Sequence, residues 1–588
     1  MSTAMSTWPS TARASWANRA PPSGVDTSHA TPTHPRPMRA AASRTRPASR
    51  LQITTRTPSA ASASAAAYPR PADAAATAAV RPPMPRSTLG EATPGYPLVG
   101  WVAHEAVGTM GPRADATTRA SDARYLDAIA DAETFPYWLD DADEPESNPT
   151  VVRDTRADLC VVGGGYTGLW CAIGAKLRNP SRDVVLIDAH EVGSGASGRN
   201  GGFMDSSVTH GIANAQRRFP DEVGTLERLG LDNFTSIVNF IDRHRIDCDC
   251  ERTGIIEVAS TWHTPTYADE LRDDYEQLAA LGHDVVWLDR DAMRDEIHSP
   301  VFTAGLWGRD SGALLDPARL AWGLKRVAEQ LGVRIHEDTR ATGLERDGAG
   351  MAVRTPLATI RAHRVALGTN TWRPLVRGAS SYVIPVYDYC LTTEPLTPQQ
   401  LAGLGWRRRQ GLSDVSNQFH YYRLTADDRV LWGGYDAIYH YGGRTDRELE
   451  SRPESWARLA RQFFETFPQL EGVRFSHMWG APIDTCSRFS VFWDTAYSGR
   501  VAYAMGYTGL GVASSRFGAE VMLDLLDGVD SPATRTRFVR TKPRRWPPEP
   551  VRWLAIQQTR RSLEREDRTG RRNWWLRLLD RIGLGFDT

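Results

Sequence analysis

Three glycines at a fixed spacing, Gly163, Gly165 and Gly168, constrain this chain more than any other feature. Directly before them Leu159, Cys160, Val161 and Val162 form an unbroken apolar run, the pattern of a strand buried on both faces. Directly after them Leu169, Ala172, Ile173 and Leu177 recur at helical spacing, and a second apolar run, 184–187, ends at Asp188. Strand, glycine turn, helix and strand make a βαβ unit, which predicts an α/β protein with a parallel sheet. Gly163 permits the tight turn, Gly165 lets backbone approach a pyrophosphate, and Gly168 lets the helix pack closely on the sheet. The phosphates would sit at the helix start, where free N–H groups and the helix dipole favour negative charge. Asp188 stands at the distance where a carboxylate hydrogen-bonds a ribose diol, which favours NAD or FAD over NADP.

The next segment separates those two cofactors. Gly193, Gly195, Gly198, Gly201 and Gly202, with Ser197, Arg199 and Asn200 among them, make a second glycine-rich loop where an NAD domain would run on into a helix. So permissive a loop predicts backbone passing close to a large, flat ligand. Residues 158–203 resemble the FAD-dependent amine and amino-acid oxidases of the D-amino-acid oxidase superfamily. The resembling branch includes gamma-glutamylputrescine oxidoreductase, glycine oxidase and sarcosine oxidase, and the likeness extends from about 135 to about 526.

The resemblance implies an α/β fold in which a Rossmann-like FAD-binding domain is assembled from discontinuous segments, 156–212, 300–378 and 479–532. A second, substrate domain of α+β type with a mixed or antiparallel sheet would come from 213–299 and 379–478. The FAD-binding set it implies is Gly163, Gly165, Gly168, Asp188, Ser197, Arg199, Asn200, Gly201 and Gly202, then backbone at Ala341 and Gly368. The turn Gly506, Thr508, Gly509 and Gly511 completes it at the flavin N1–C2=O edge. Reduction puts negative charge on that edge, and N–H groups at a helix start stabilise it. Leu510 replaces the histidine commonest between the last two glycines, so no side-chain cation is supplied there.

For the substrate, the resemblance points to Arg423, with Tyr422 beside it, as the grip for a carboxylate, since a guanidinium pairs two oxygens at once. The competing reading is a surface arginine on a hairpin. Tyr421, Tyr422, Trp432 and Tyr435 are read either as a pocket for an ammonium group or as strand residues of a core, and His420 as a structural histidine. Cys486 lies in the region where sarcosine oxidases tether their flavin, but its spacing to Gly506 is shorter, so noncovalent FAD is expected. The activity implied is oxidation of the C–N bond of an amine or amino acid, with a gamma-glutamylputrescine-like substrate and reoxidation by O2 or an electron carrier. Two alternatives stay open, a dehydrogenase of N-methylglycine-type secondary amines and an FAD-stabilised interaction protein without turnover.

Composition bounds the rest. The 588 residues carry 70 basic and 70 acidic side chains, which argues against a nucleic-acid binder working by bulk charge. No apolar run approaches the ~18 residues of a membrane span. Six cysteines are too few for a disulfide framework, so a reducing cytoplasm is the expected compartment. Cys248 and Cys250 alone are close together, and no metal site is expected from them. Residues 1–115, rich in Ala, Pro, Ser, Thr and Arg, are expected to form a disordered leader, with Met110 a plausible true start. A short helix and linker should occupy 116–155. At the other end, 533–588 form a basic extension carrying Trp546, Trp553, Trp574 and Trp575. Docking on the catalytic body or a second subunit is the favoured reading of that extension, and a membrane surface the other.

Overall fold

The computed structural model describes residues 125–584 except Ser311 and Arg373. The expected leader, Met110 and the first residues of the 116–155 segment lie outside the described residues.

The glycine-bearing unit sits at the centre of the first sheet. Its strand order is Phe492–Ala496, Val501–Met505, Thr359–Leu367, Thr155–Val162, Val184–Ile187 and Arg334–His336. The five strands from Val501–Met505 onward run parallel, and Phe492–Ala496 is an antiparallel edge. Leu159 and Val161 point to a layer of helices, Tyr166–Arg178, Pro317–Gln330 and Gly511–Asp527. Cys160 and Val162 point to the opposite face, covered by the hairpin Gly343–Asp347 and Gly350–Arg354. Both faces are dry, which is why the run carries no polar alternation.

The second sheet orders Phe475–Cys486, Val383–Thr393, Val430–Gly434, His420–Leu424, Gly411–Asp414, Ile255–Ser260, Phe302–Gly308 and Val285–Leu288. Only Gly411–Asp414 with Ile255–Ser260 is a parallel pair, so this sheet is mixed. Two expected boundaries move. Phe302–Gly308 pairs with Ile255–Ser260, and Phe475–Cys486 pairs with Val383–Thr393, so both belong to the second sheet although 300–378 took the first strand, and 479–532 the second from Trp479 onward, into the first domain. Backbone pairing overrides the sequence division because each strand must satisfy its N–H and C=O groups along its whole length. Val383–Thr393 is one continuous strand of 11 residues.

Before the first sheet, Trp138 anchors the chain against Ala318, Trp322, Leu431 and Trp479. After it, the helices Val551–Thr569 and Trp574–Arg581 fold back on the body. Asp567 fixes the first of them: it accepts hydrogen bonds from the Tyr267 hydroxyl, the Asn417 side chain and the backbone N–H groups of Asn417 and Gln418. The extension therefore docks on its own chain, through an acidic residue within a basic segment. Among the described residues no helix is long and apolar enough to cross a membrane.

Candidate functional site

A cavity of about 1710 Å³ lies between the two sheets and is lined from both. One end is built where the parallel strands finish. Gly163 has φ +111°, and a Cβ on it would stand 2.4 Å from the Gly368 carbonyl oxygen. Two crossing turns leave no room for a side chain, so glycine is required by both conformation and space. Asp188 accepts from the Gly164 N–H at 2.5 Å and the His190 N–H at 2.9 Å, tying the turn to the second strand while facing the cavity. Burial raises its pKa, and the two backbone donors oppose that. Ser197 Oγ accepts from the Tyr166 N–H at 2.9 Å, at the start of the first helix.

Gly165, Arg199, Asn200, Gly201, Ala341, Thr508, Gly509 and Gly511 also line this cavity, together with Gly163, Asp188, Ser197 and Gly368. Arg199 pairs with Glu450 at 2.7 Å, and Asn200 bonds the loop to itself through the Ala196 and Ser197 carbonyls and the Gly202 N–H. Gly168, Gly202 and Gly506 lie behind the lining. In the second glycine loop a Cβ on Gly195 would meet nothing within 4 Å, whereas two other positions are filled by protein groups. A Cβ on Gly201 would meet the Tyr421 ring at 2.6 Å, and one on Gly202 would meet the Leu315 carbonyl oxygen at 2.1 Å. Protein groups, rather than a ligand, exclude side chains at these two positions.

Opposite, the turn after Val501–Met505 is held by Asp484. Its carboxylate accepts from the Gly506 N–H at 2.6 Å and the Tyr507 N–H at 3.2 Å. Burial pushes this acid up to about 7, against those donors. Thr508 Oγ donates to the Gly506 carbonyl, so the chain is shaped to start the helix Gly511–Asp527 at the cavity wall. Cys486 is fully buried behind the lining. Its thiol donates toward the Ser490 and Gly506 carbonyls, and burial raises its pKa.

The other end of the cavity corrects the substrate assignment. Arg423 is 1% exposed and outside the lining; its guanidinium donates to the carbonyls of Leu315, Leu424 and Gly202 and stacks over the Trp138 ring. It is therefore neither a carboxylate grip at the cavity nor a surface residue. Tyr422 packs into the aromatic core with Trp432, Phe463 and Phe467, donating to Asp414. Side chains alternate along a strand, so Tyr421 takes the cavity face that its neighbour cannot. Its hydroxyl donates to Asp388 at 2.6 Å, and burial pushes Asp388 up to about 6. His420 is fully buried between Asp414 and Gln462, the structural role expected of it.

Four carboxylates missed in the sequence gather at the same end: Asp205, Glu227, Glu257 and Asp274, with His283 3.5 Å from Glu227. Glu257 opens into the cavity from mid-strand, its backbone paired between Leu306 and Ser413 and its side chain open to the cavity space. Burial, then repulsion from Asp274 and Asp205, pushes it up to about 8. Burial and Asp205 push Glu227 up to about 7, and burial and Asp273 push Asp274 up to about 6. A signal existed, because a lone carboxylate in the apolar run Ile255, Ile256, Val258 and Ala259 is out of pattern.

The family model of FAD dependent oxidoreductases (DAO) matches residues 158–525. Gamma-glutamylputrescine oxidoreductase of Escherichia coli (strain K12) is 29% identical over 404 residues, covering 67% of this chain and 89% of that protein. Probable oxidoreductase OrdL of Haemophilus influenzae is 25% identical over 404 residues, covering 67% and 88%. The crystal structure of glycine oxidase from Geobacillus kaustophilus aligns at a TM-score of 0.55 and 18% identity, covering 64% of this chain and 96% of that one, which shows a shared fold. The glycine turn with no space for a side chain, the carboxylate closing the second strand and the match over more than half the chain together establish that this protein belongs to the DAO family of FAD-dependent oxidoreductases.

Proposed function

We propose that the protein oxidises the C–N bond of an elongated amine that carries at least one ammonium group. The observation that carries this reading is the acidic wall of Asp205, Glu227, Glu257 and Asp274, continuous in one cavity with the glycine-built end. Gly163, Gly165, Asp188, Ala341, Gly368 and the 508–511 turn would hold FAD, and their conformations suit backbone contact with its phosphates and ring edge. Bound FAD supplies the acceptor for a hydride from the carbon next to nitrogen. The protein's own tasks are orientation and proton handling. The acidic wall draws in the cation, and Glu227 and Glu257, with proton affinities near neutrality, suit acceptance of the proton an ammonium must shed before its carbon can give up hydride. The imine product then takes up water and divides into a carbonyl compound and ammonia or a smaller amine. O2 or an electron carrier restores the oxidised cofactor.

A gamma-glutamylputrescine-like substrate suits this wall and the 29%-identical relative of that name. Noncovalent cofactor is supported by Cys486, whose thiol is fully buried behind the cavity lining and bonded to two backbone carbonyls. The test is an anaerobic screen of amines and amino acids read by bleaching of the bound flavin's visible absorbance. Bleaching by diamines or their acylated forms is the expected result, and a screen in which no amine bleaches the flavin defeats the reading.

A further inference from the structure

The family match ends at residue 525, and the helix Val551–Thr569 lies beyond it. Yet Ile556, Thr559, Arg560 and Leu563 of that helix form part of the cavity wall, beside Asn417 and Tyr435. The helix is pinned there at two points. Asp567 holds the four hydrogen bonds from Tyr267, Asn417 and Gln418, and Thr559 Oγ accepts from the Trp575 indole N–H at 2.9 Å.

Arg560 is left short of partners. Its nearest carboxylate, Asp436, is 4.0 Å away, beyond hydrogen-bond reach. Asp436 is already engaged by Arg452 at 3.1 Å, by Arg458 in closer contact and by the Ser455 hydroxyl at 2.6 Å. Arg452, Arg458 and Arg560 thus share Asp436, with Glu454 3.9 Å from Arg452 and Glu564 also acting on Arg560, and Asp436 has little capacity left for Arg560. The Arg560 Nε is buried with no hydrogen-bond partner. The rest of the guanidinium is partly open, its side chain 28% exposed at the cavity wall, so an anion entering there meets charged donors that have no hydrogen-bonded partner.

We propose that Arg560, supplied by the C-terminal helix, is a specificity-determining residue that binds a carboxylate of the substrate. The oxidised amine is then one that also bears a carboxylate, of amino-acid or acylated-amine type. The planar fork of a guanidinium suits two carboxylate oxygens. This narrows the substrate class of the amine reading above and rests on it.

The experiment uses the full-length, FAD-loaded protein and two isosteric probes, butyrate and the neutral butyramide, titrated by calorimetry. Wild type is expected to prefer butyrate. Arg560→Gln should weaken butyrate about tenfold and leave butyramide unchanged, as loss of one charge-assisted pair implies. Arg560→Lys, which keeps the charge but not the fork, should recover part of the loss. Arg561→Gln, on the exposed side of the same helix, should bind as wild type. Bound flavin content is measured in each variant to exclude loss of fold. The proposal is overturned if wild type treats the two probes alike, or if Arg560→Gln keeps wild-type butyrate affinity. Because these probes contain no amine, the result is separate from the bleaching screen: bleaching without carboxylate preference removes only the Arg560 inference, and carboxylate preference without bleaching removes only the amine reading.

Discussion

At Gly163 two constraints coincide, a positive φ and a carbonyl 2.4 Å from any Cβ. Gly163→Ala must push the Gly368 turn aside, so we expect purified variant protein to carry less than about a tenth of the wild-type flavin, since strain of this kind costs ~1–3 kcal/mol. Flavin absorbance per mole of protein measures it. Glu257 gives a pH prediction. Its folded pKa of about 8 lies well above the usual ~4.3 for a glutamate. Its protonated form therefore favours the folded state, and that stability is present at low pH and lost as pH rises through about 8. Glu257→Gln should be less sensitive to alkali than wild type in urea denaturation between pH 6 and 9. Affinity for a cationic amine runs the other way, rising as the wall ionises, and Glu257→Gln should flatten the upper part of that rise. At this scale the residues that were legible in the sequence are those whose backbone demands are special, such as Gly163 and Asp188. Tyr421, Tyr422 and Arg423 were legible only as a strand: alternation separates Tyr421 from Tyr422, but which side is cavity depends on the second sheet's neighbours. Arg423 shares Tyr421's side and still misses the cavity, because Trp138 and two backbone carbonyls meet it first.

Among the elements, the strand–turn–helix units carry the FAD-side geometry and the terminal helix carries part of the other side. Asp567 is 4% exposed and satisfies donors from one helix and one loop of the body. Asp567→Ala leaves those donors buried without an acceptor, which should cost about 3 kcal/mol in urea denaturation. Limited proteolysis should then cut within 551–569 faster than in wild type, and unchanged cleavage would count against this anchor. The helix itself was legible as a basic, Trp-bearing extension. Its docking partner was not, because Tyr267, Asn417 and Gln418 lie 149 or more residues away along the chain.

For the molecule as a whole, the cavity between two sheets links cofactor to stability. A ligand that binds only the folded state raises stability by mass action. Added FAD should therefore raise the melting temperature of flavin-stripped protein, and acid precipitation should release the yellow colour into solution. Colour retained in the pellet would mean a covalent tether and would contradict the buried, inward-facing Cys486 thiol.

The α/β class and the βαβ unit at 158–188 were determined by the sequence alone, through glycine spacing and local periodicity. Those signals work because turn geometry and helical or strand packing act over a few residues. The tertiary structure decided which strands belong to which sheet, which face of His420–Leu424 sees the cavity, and that four carboxylates and a terminal arginine share one space. Those outcomes depend on contacts between segments up to several hundred residues apart. Burial and repulsion then raise the carboxylates' proton affinity only because the fold has brought them together.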